Sequence, residues 1–179
     1  MFSKFVPTEL LLSKEHWMSS ENLSEDIIEP SIKTTLQFNG LLTSALREAY
    51  GKPVSVNLLR QSEWAGAQGV LGLRRDVLLK AGDLSVVAAA TLMPSSVLDE
   101  RPWLADLGDK PLGEALKNHG HFWRGPFEFM RIEADLIFQP AALETPFLWC
   151  RRFRFRLESD ALLVMEIFFP GVLDRLSLK

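Results

Sequence analysis

Residues Trp149–Pro170, WCRRFRFRLESDALLVMEIFFP, constrain the fold more than any other stretch of the chain. Two alternating apolar runs, Trp149–Leu157 and Leu162–Phe169, flank the polar Glu158-Ser159-Asp160, a pattern that reads as a β-hairpin. The second arm is apolar at every position but Glu166. In a strand its same-face neighbours are Val164 and Phe168. An ionised carboxylate in such a place is costly unless it is paired or hydrogen-bonded, so the arm either turns Glu166 to water or supplies a partner.

The rest of the chain reads as one domain preceded by an arm. Residues 1–29 mix a short amphipathic piece, Thr8–Trp17, with the polar run SSENLSED and are read as an N-terminal arm. Residues 30–179 are read as a single domain. Ile32, Leu36, Leu42 and Leu46 recur at helical spacing, broken near Asn39-Gly40, with Gly51 as a stop. Val54–Leu58 alternates as a strand that can continue to Trp64. Val70–Lys80 alternates again, turns at Ala81-Gly82-Asp83, and returns as Ser85–Met93. Pro94-Ser95-Ser96 can open a helical turn, and Pro111 a helix that stops at Asn118–Gly120. Phe127–Phe138 reads as a long strand ended by Gln139-Pro140. Helices, strands, a short helix and strands again predict an α+β fold with a mainly antiparallel sheet.

Composition excludes more than it selects. A hydrophobic fraction of 47% with 24% charged residues is globular, and a net charge of −3 gives no pull towards nucleic acid or an anionic membrane. The N-terminal apolar run is short and interrupted by Pro7 and Glu9, so neither a signal peptide nor a span is expected, and a cytoplasmic monomer is. The single Cys150 has no internal disulfide partner and is read as a buried thiol. His119 and His121 lack supporting ligands for a metal, and Gly66, Gly69 and Gly72 lack the Lys-Ser or Lys-Thr of a phosphate loop; no metal and no cofactor are expected.

A second charge stands on an apolar face. In the strand after Val70, Leu71, Leu73, Val77 and Leu79 share their face with Arg75, whereas Arg74 falls on the polar face and is expected in solvent. A sheltered guanidinium grips a carboxylate through two parallel hydrogen bonds, and a sheltered carboxylate serves as acid, base or hydroxyl acceptor. Arg75 and Glu166 together suggest a pocket for an anion that bears a polar group; the alternative is an Arg75–Glu166 ion pair with no ligand. The run Arg151, Arg152, Arg154, Arg156, interleaved with Phe153 and Phe155, has a nucleic-acid flavour. Strand parity places Arg152, Arg154 and Arg156 on one face as a solvated row, and no nucleic-acid partner is expected.

Six segments resemble, in order, the chorismate pyruvate-lyase family, the 4-hydroxybenzoate synthases: GLLTSAL at Gly40–Leu46, VSVNLLR at Val54–Arg60, LRRDVLLKAGD at Leu73–Asp83, ATLMP at Ala90–Pro94, LGDKPLGEAL at Leu107–Leu116 and the closing hairpin. The resemblance implies a chorismate lyase-like domain over residues 30–179, an antiparallel sheet whose helices cover an internal ligand cavity closed by two flaps. It implies a cofactor-independent lyase that converts chorismate to 4-hydroxybenzoate and pyruvate at the start of ubiquinone synthesis. Carried over position by position, Arg75 and Glu166 become catalytic and substrate-binding residues, and Leu42 and Leu112 become ligand contacts through their backbone N–H groups. One departure stands out. Where the family commonly has an arginine before the Thr or Ser of ATLMP, this chain has Ala90, a loss for which Arg131, Arg151 or Arg154 could compensate. That departure keeps open a non-catalytic protein of the same fold that binds a small aromatic acid, as in the effector-binding domains of some transcription regulators.

Overall fold

The structure, a computed structural model, describes residues 6–24, 27–65, 69, 71–120, 122–134, 145–157 and 160–178. Eight strands form one antiparallel sheet: β1 (Met18–Ser19), β2 (Val54–Ala65), β3 (Leu71–Ala81), β4 (Leu84–Pro94), β5 (Trp123–Arg124), β6 (Glu128–Glu133), β7 (Phe147–Arg156) and β8 (Ala161–Phe168). Their order is β1-β6-β7-β8-β4-β3-β2, with β5 paired to the far end of β7. Two hairpins build the centre. β3 and β4 turn at Gly82, whose φ of 61° is a conformation that favours glycine. β7 and β8 are closed by the Leu157 N–H donating to the Asp160 carbonyl at 2.8 Å, and β4 then pairs with β8 to join them.

The α+β reading with a mainly antiparallel sheet holds. Helices α2 (Pro30–Leu36) and α3 (Leu42–Tyr50) are the expected pair, and α3 ends at Gly51 with φ 60°. Helix α4 (Ser95–Glu100) follows Pro94, and α5 (Leu112–Asn118) has Pro111 one residue before its start. The expected strand at Phe127 is shorter than predicted where it can be followed, Glu128–Glu133; residues 135–140, like Val70, His121 and the turn residues Glu158 and Ser159, lie outside the described residues. Helices α1 (Thr8–Leu12) and α6 (Val172–Ser177) complete the set.

The two faces of the sheet carry different charges, and here three expectations change. Arg74 and Arg152 are buried rather than solvated, at 3% and 4% exposure. Each clamps the N-terminal segment: Arg74 donates to the Val6 carbonyl and the Thr8 hydroxyl, and Arg152 to the Leu11 and Ser13 carbonyls. Their charges are met by Asp76 and Glu128, at 2.9 and 2.8 Å. Residues 6–24 cover this face and place Val6, Leu11 and Leu23 in the core, so the polar parity of Arg74 and Arg152 points them under a covering segment. Arg154 and Arg156 are exposed, as parity predicts.

Ala90 is the third change. It pairs across the sheet with Asp76 on one side and Met165 on the other, which sets its side chain on the face covered by the N-terminal segment. Arg75, Ala89, Thr91, Val164 and Glu166 occupy the opposite face. Ala90 is thus not a missing guanidinium of the Arg75 face. It stands beside a carboxylate, Asp76, whose charge is already matched by Arg74 and Arg60.

Candidate active site

The other face of the sheet holds a cavity of about 70 Å³. Its floor is the alternating apolar side chains Val77, Ala89, Val164, Phe153 and Phe155, and its roof is the starts of α3 and α5. All four residues singled out from the sequence, Arg75, Glu166, Leu42 and Leu112, line this one cavity. Arg75 projects from β3 and Glu166 from β8, with β4 between them, so their strands lie about 10 Å apart. The two side chains approach the space from different sides. They are not paired with each other.

Glu166 finds its partner next door. The β7–β8 register sets it opposite Arg151, whose Nε donates to Glu166 Oε2 at 2.5 Å. The same guanidinium donates from Nη1 to the carbonyls of Leu36 and Phe38, both at 2.9 Å, and it lies over the Phe127 ring at 4.6 Å. Arg151 is 1% exposed. A carboxylate in an apolar strand is thereby both neutralised and fixed, while among the described residues Oε1 accepts no hydrogen bond and is left for a ligand.

Arg75 has a different environment. Its Nη2 donates to the carbonyls of Gly108 and Lys110, at 2.9 and 3.0 Å, while its Nε is buried without a partner among the described residues. Burial pulls its pKa down to about 10, an effect partly opposed by the nearby Asp109 carboxylate. It remains a cation at neutral pH, held in place by carbonyls rather than by a counter-charge.

The sequence reading missed Arg124. It sits on the two-residue strand β5, in the stretch HFWRGP, where no periodicity signals which way a side chain points. Its guanidinium lies over Phe153 and Phe155, at 4.9 and 5.0 Å, and lines the cavity beside Glu166. Burial lowers its pKa, with Glu166 opposing and Arg151 adding to that shift. Arg131, another candidate for compensation, is exposed against Phe147 and Trp149 and does not line the cavity; nor does Arg154.

The roof consists of two helix starts that touch. Leu42 and Leu112 are the first residues of α3 and α5, and no side chain caps either helix, so their N-terminal N–H groups have no side-chain acceptor. A methyl group on Gly113 would lie 3.2 Å from Leu41 Cδ2, a measure of how closely the helices approach. Thr43 donates to Glu114 Oε1 at 2.7 Å, and Arg47 reaches the same oxygen at 3.4 Å.

Elsewhere the chemistry is quiet. Cys150 is buried, and burial pushes its thiol well up, which leaves it unreactive. His119 stacks on Trp103 and bonds the Ala115 carbonyl through Nδ1, and among the described residues no cluster of His, Cys, Asp and Glu could hold a metal ion.

An antiparallel sheet roofed by two helix starts, with a cavity whose charged groups are two guanidiniums and one fixed carboxylate, can hold a small, largely apolar anion bearing a further polar group. The chain belongs to the chorismate lyase family, whose pattern matches residues 11–178. A "Probable chorismate pyruvate-lyase" of Pseudomonas aeruginosa (strain UCBPP-PA14) is 31% identical over 170 residues, covering 89% of this chain and 93% of that protein. One from Coxiella burnetii is 27% identical over 170 residues, covering 87% and 92%, and one from Azoarcus sp. (strain BH72) is 37% identical over 159 residues, covering 74% and 80%. Among solved structures, the effector domain of PhnF from Mycobacterium smegmatis shares the fold, with a TM-score of 0.54 at 14% identity over 75% of this chain and 92% of that one. No helix among the described residues is long and apolar enough to cross a membrane.

Proposed function

We propose that the protein converts chorismate to 4-hydroxybenzoate and pyruvate, and that it does so in the cytoplasm as the entry step to ubiquinone synthesis. The observation that carries this reading is that Arg75 and Glu166, from strands two apart on one face of the sheet, line the same cavity in a chain of the chorismate lyase family. Arg75 takes the ring carboxylate. Glu166, fixed by Arg151, faces the C4 oxygen with its free Oε1. Leu42 and Leu112 offer backbone N–H groups from the roof.

In the reaction the C3–O bond breaks, its electron pair leaves with the enolpyruvyl group, and the C4–H pair becomes part of the aromatic ring. The C4 proton is balanced by the one that the enol takes up at its methylene carbon to give pyruvate. The reaction is redox-neutral overall, because C4 is oxidised as C3 is reduced, and no external oxidant or reductant is needed. Aromatisation supplies the driving force, so the cavity's task is to orient the substrate, exclude water and stabilise charge on the departing oxygen.

The roles separate in kinetics. Arg75→Ala raises KM and weakens 4-hydroxybenzoate binding, whereas Glu166→Gln lowers kcat more than it changes KM. Purified double variant that formed 4-hydroxybenzoate at the parental rate would sink the assignment.

A further inference from the structure

We propose that Arg124 binds the second carboxylate of the substrate, the one on the enolpyruvyl side chain, and couples its presence to closure of the α3 side of the roof. This rests on the lyase reading and extends it to a residue for which nothing in the sequence had argued.

Charge bookkeeping in the cavity leads there. Glu166 is neutralised by Arg151, which leaves Arg75 and Arg124 as guanidiniums lining the cavity without an ion-pair partner among the described residues. Both have a buried Nε with no hydrogen-bond partner among those residues. A buried donor left unmade is costly, and two such arginines lining one cavity point to a ligand with two acceptor groups. The guanidinium of Arg124 is held over the Phe153 and Phe155 rings, so it has little freedom to lose on binding.

Position then assigns the group. Glu166 marks C4 of the ring, and Arg124 is near enough to feel its charge. The ring carbon beside C4 is C3, which bears the enolpyruvyl ether, while Arg75, on the other side of β4, faces the ring carboxylate.

The outer nitrogens of the two arginines perform a second, matching task. Arg75 Nη2 holds the carbonyls of Gly108 and Lys110, just before the Leu112 roof. Arg124 Nη1 holds the carbonyls of Asn39 and Gly40, at 2.8 and 3.2 Å, just before the Leu41–Leu42 roof. Each arginine lines the cavity and anchors one half of the roof. Loss of the enolpyruvyl carboxylate as pyruvate removes the acceptor at Arg124 only. The α3 side is therefore the half whose anchor changes when product forms.

The test compares ligands with one and two carboxylates on purified full-length protein and its Arg124→Gln, Arg124→Lys and Arg75→Gln variants. 3-(Carboxymethoxy)benzoate hangs its second carboxylate from ring carbon 3, as chorismate does; 4-hydroxybenzoate has no second carboxylate. Arg124→Gln should lower kcat/KM for chorismate and affinity for 3-(carboxymethoxy)benzoate by about 10- to 100-fold, and weaken 4-hydroxybenzoate far less, because that ligand loses only the α3 anchor and no carboxylate partner. Arg124→Lys should recover part of the loss, because it restores charge without the fork. Arg75→Gln should weaken all three ligands. An Arg124→Gln protein that loses the ligands equally, or loses none, overturns the proposal. If the parent protein yields no 4-hydroxybenzoate from chorismate, the lyase reading fails, and the two-ligand comparison still decides whether Arg124 is a carboxylate site.

Discussion

Arg151→Met is the sharpest test of how the site is built, because it removes one partner of a buried pair without touching the two arginines that line the cavity. In the parent, Arg151 Nε and Glu166 Oε2 are 2.5 Å apart, with side chains 1% and 11% exposed. Removing the guanidinium leaves a carboxylate on an apolar strand without its ion-pair partner, which costs about 3–5 kcal/mol. The carbonyls of Leu36 and Phe38 also lose their donor, at about 1 kcal/mol each. The expected loss is about 5–7 kcal/mol, a large part of the stability of an ordinary domain. For a chain of this size that is a fall in Tm of roughly 10–25 °C. Glu166→Gln keeps an acceptor for Arg151 and costs less, about 1.5–3 kcal/mol. Urea unfolding of the parent, both single variants and the double variant completes the cycle. Because the double variant leaves no unpaired charge, its loss should be smaller than the sum of the single losses by about 2 kcal/mol or more. Losses that add to within about 0.5 kcal/mol would mean that the two groups do not form the pair described here.

Three further outcomes follow from the same geometry. Glu114→Gln weakens the latch to Thr43 and Arg47 between the two halves of the roof; since Glu114 is one-third exposed, the effect is about 1 kcal/mol, seen as roughly fivefold faster 4-hydroxybenzoate release in stopped-flow displacement with little change in Tm. The second concerns pH: benzoate, which has no phenol to titrate, should bind with constant affinity from neutral pH to near 9, then weaken as Arg75 loses its proton around 10. Its folded pKa is depressed, so the cation is the form that burial penalises, and that penalty to folding is present below 10 and fades above it; calorimetric affinity constant through pH 11 would contradict this. The third is Ala90→Arg, which inserts a cation on the N-terminal side of the sheet beside Asp76, already paired with Arg74 and Arg60. It should destabilise by several kcal/mol in urea unfolding and give no gain in chorismate turnover.

What the sequence made legible was what alternation encodes. The parity of β3 put Arg75 on the apolar face, and that of β8 put Glu166 beside Val164, and both side chains reach one cavity. The partner of Glu166 depended instead on hairpin register, since a one-residue slip replaces Arg151 with Arg152 on the opposite face. Arg74 and Arg152 were misplaced for another reason. Parity tells which face a residue is on but not what covers that face, and residues 6–24 reach it with too little periodicity to announce themselves. Arg124 lies on a strand of two residues between a loop and Gly125-Pro126, where alternation has no length over which to show.

A lyase must process chorismate in this cavity and not merely hold an aromatic acid there. Incubating the purified protein with chorismate while quantifying both products tests it most directly. The expected result is 4-hydroxybenzoate and pyruvate in equal amounts, at a rate proportional to protein and abolished in the Arg75→Ala, Glu166→Gln double variant. A parent protein whose Tm rises with 4-hydroxybenzoate, but which releases neither product above the uncatalysed background, would contradict it.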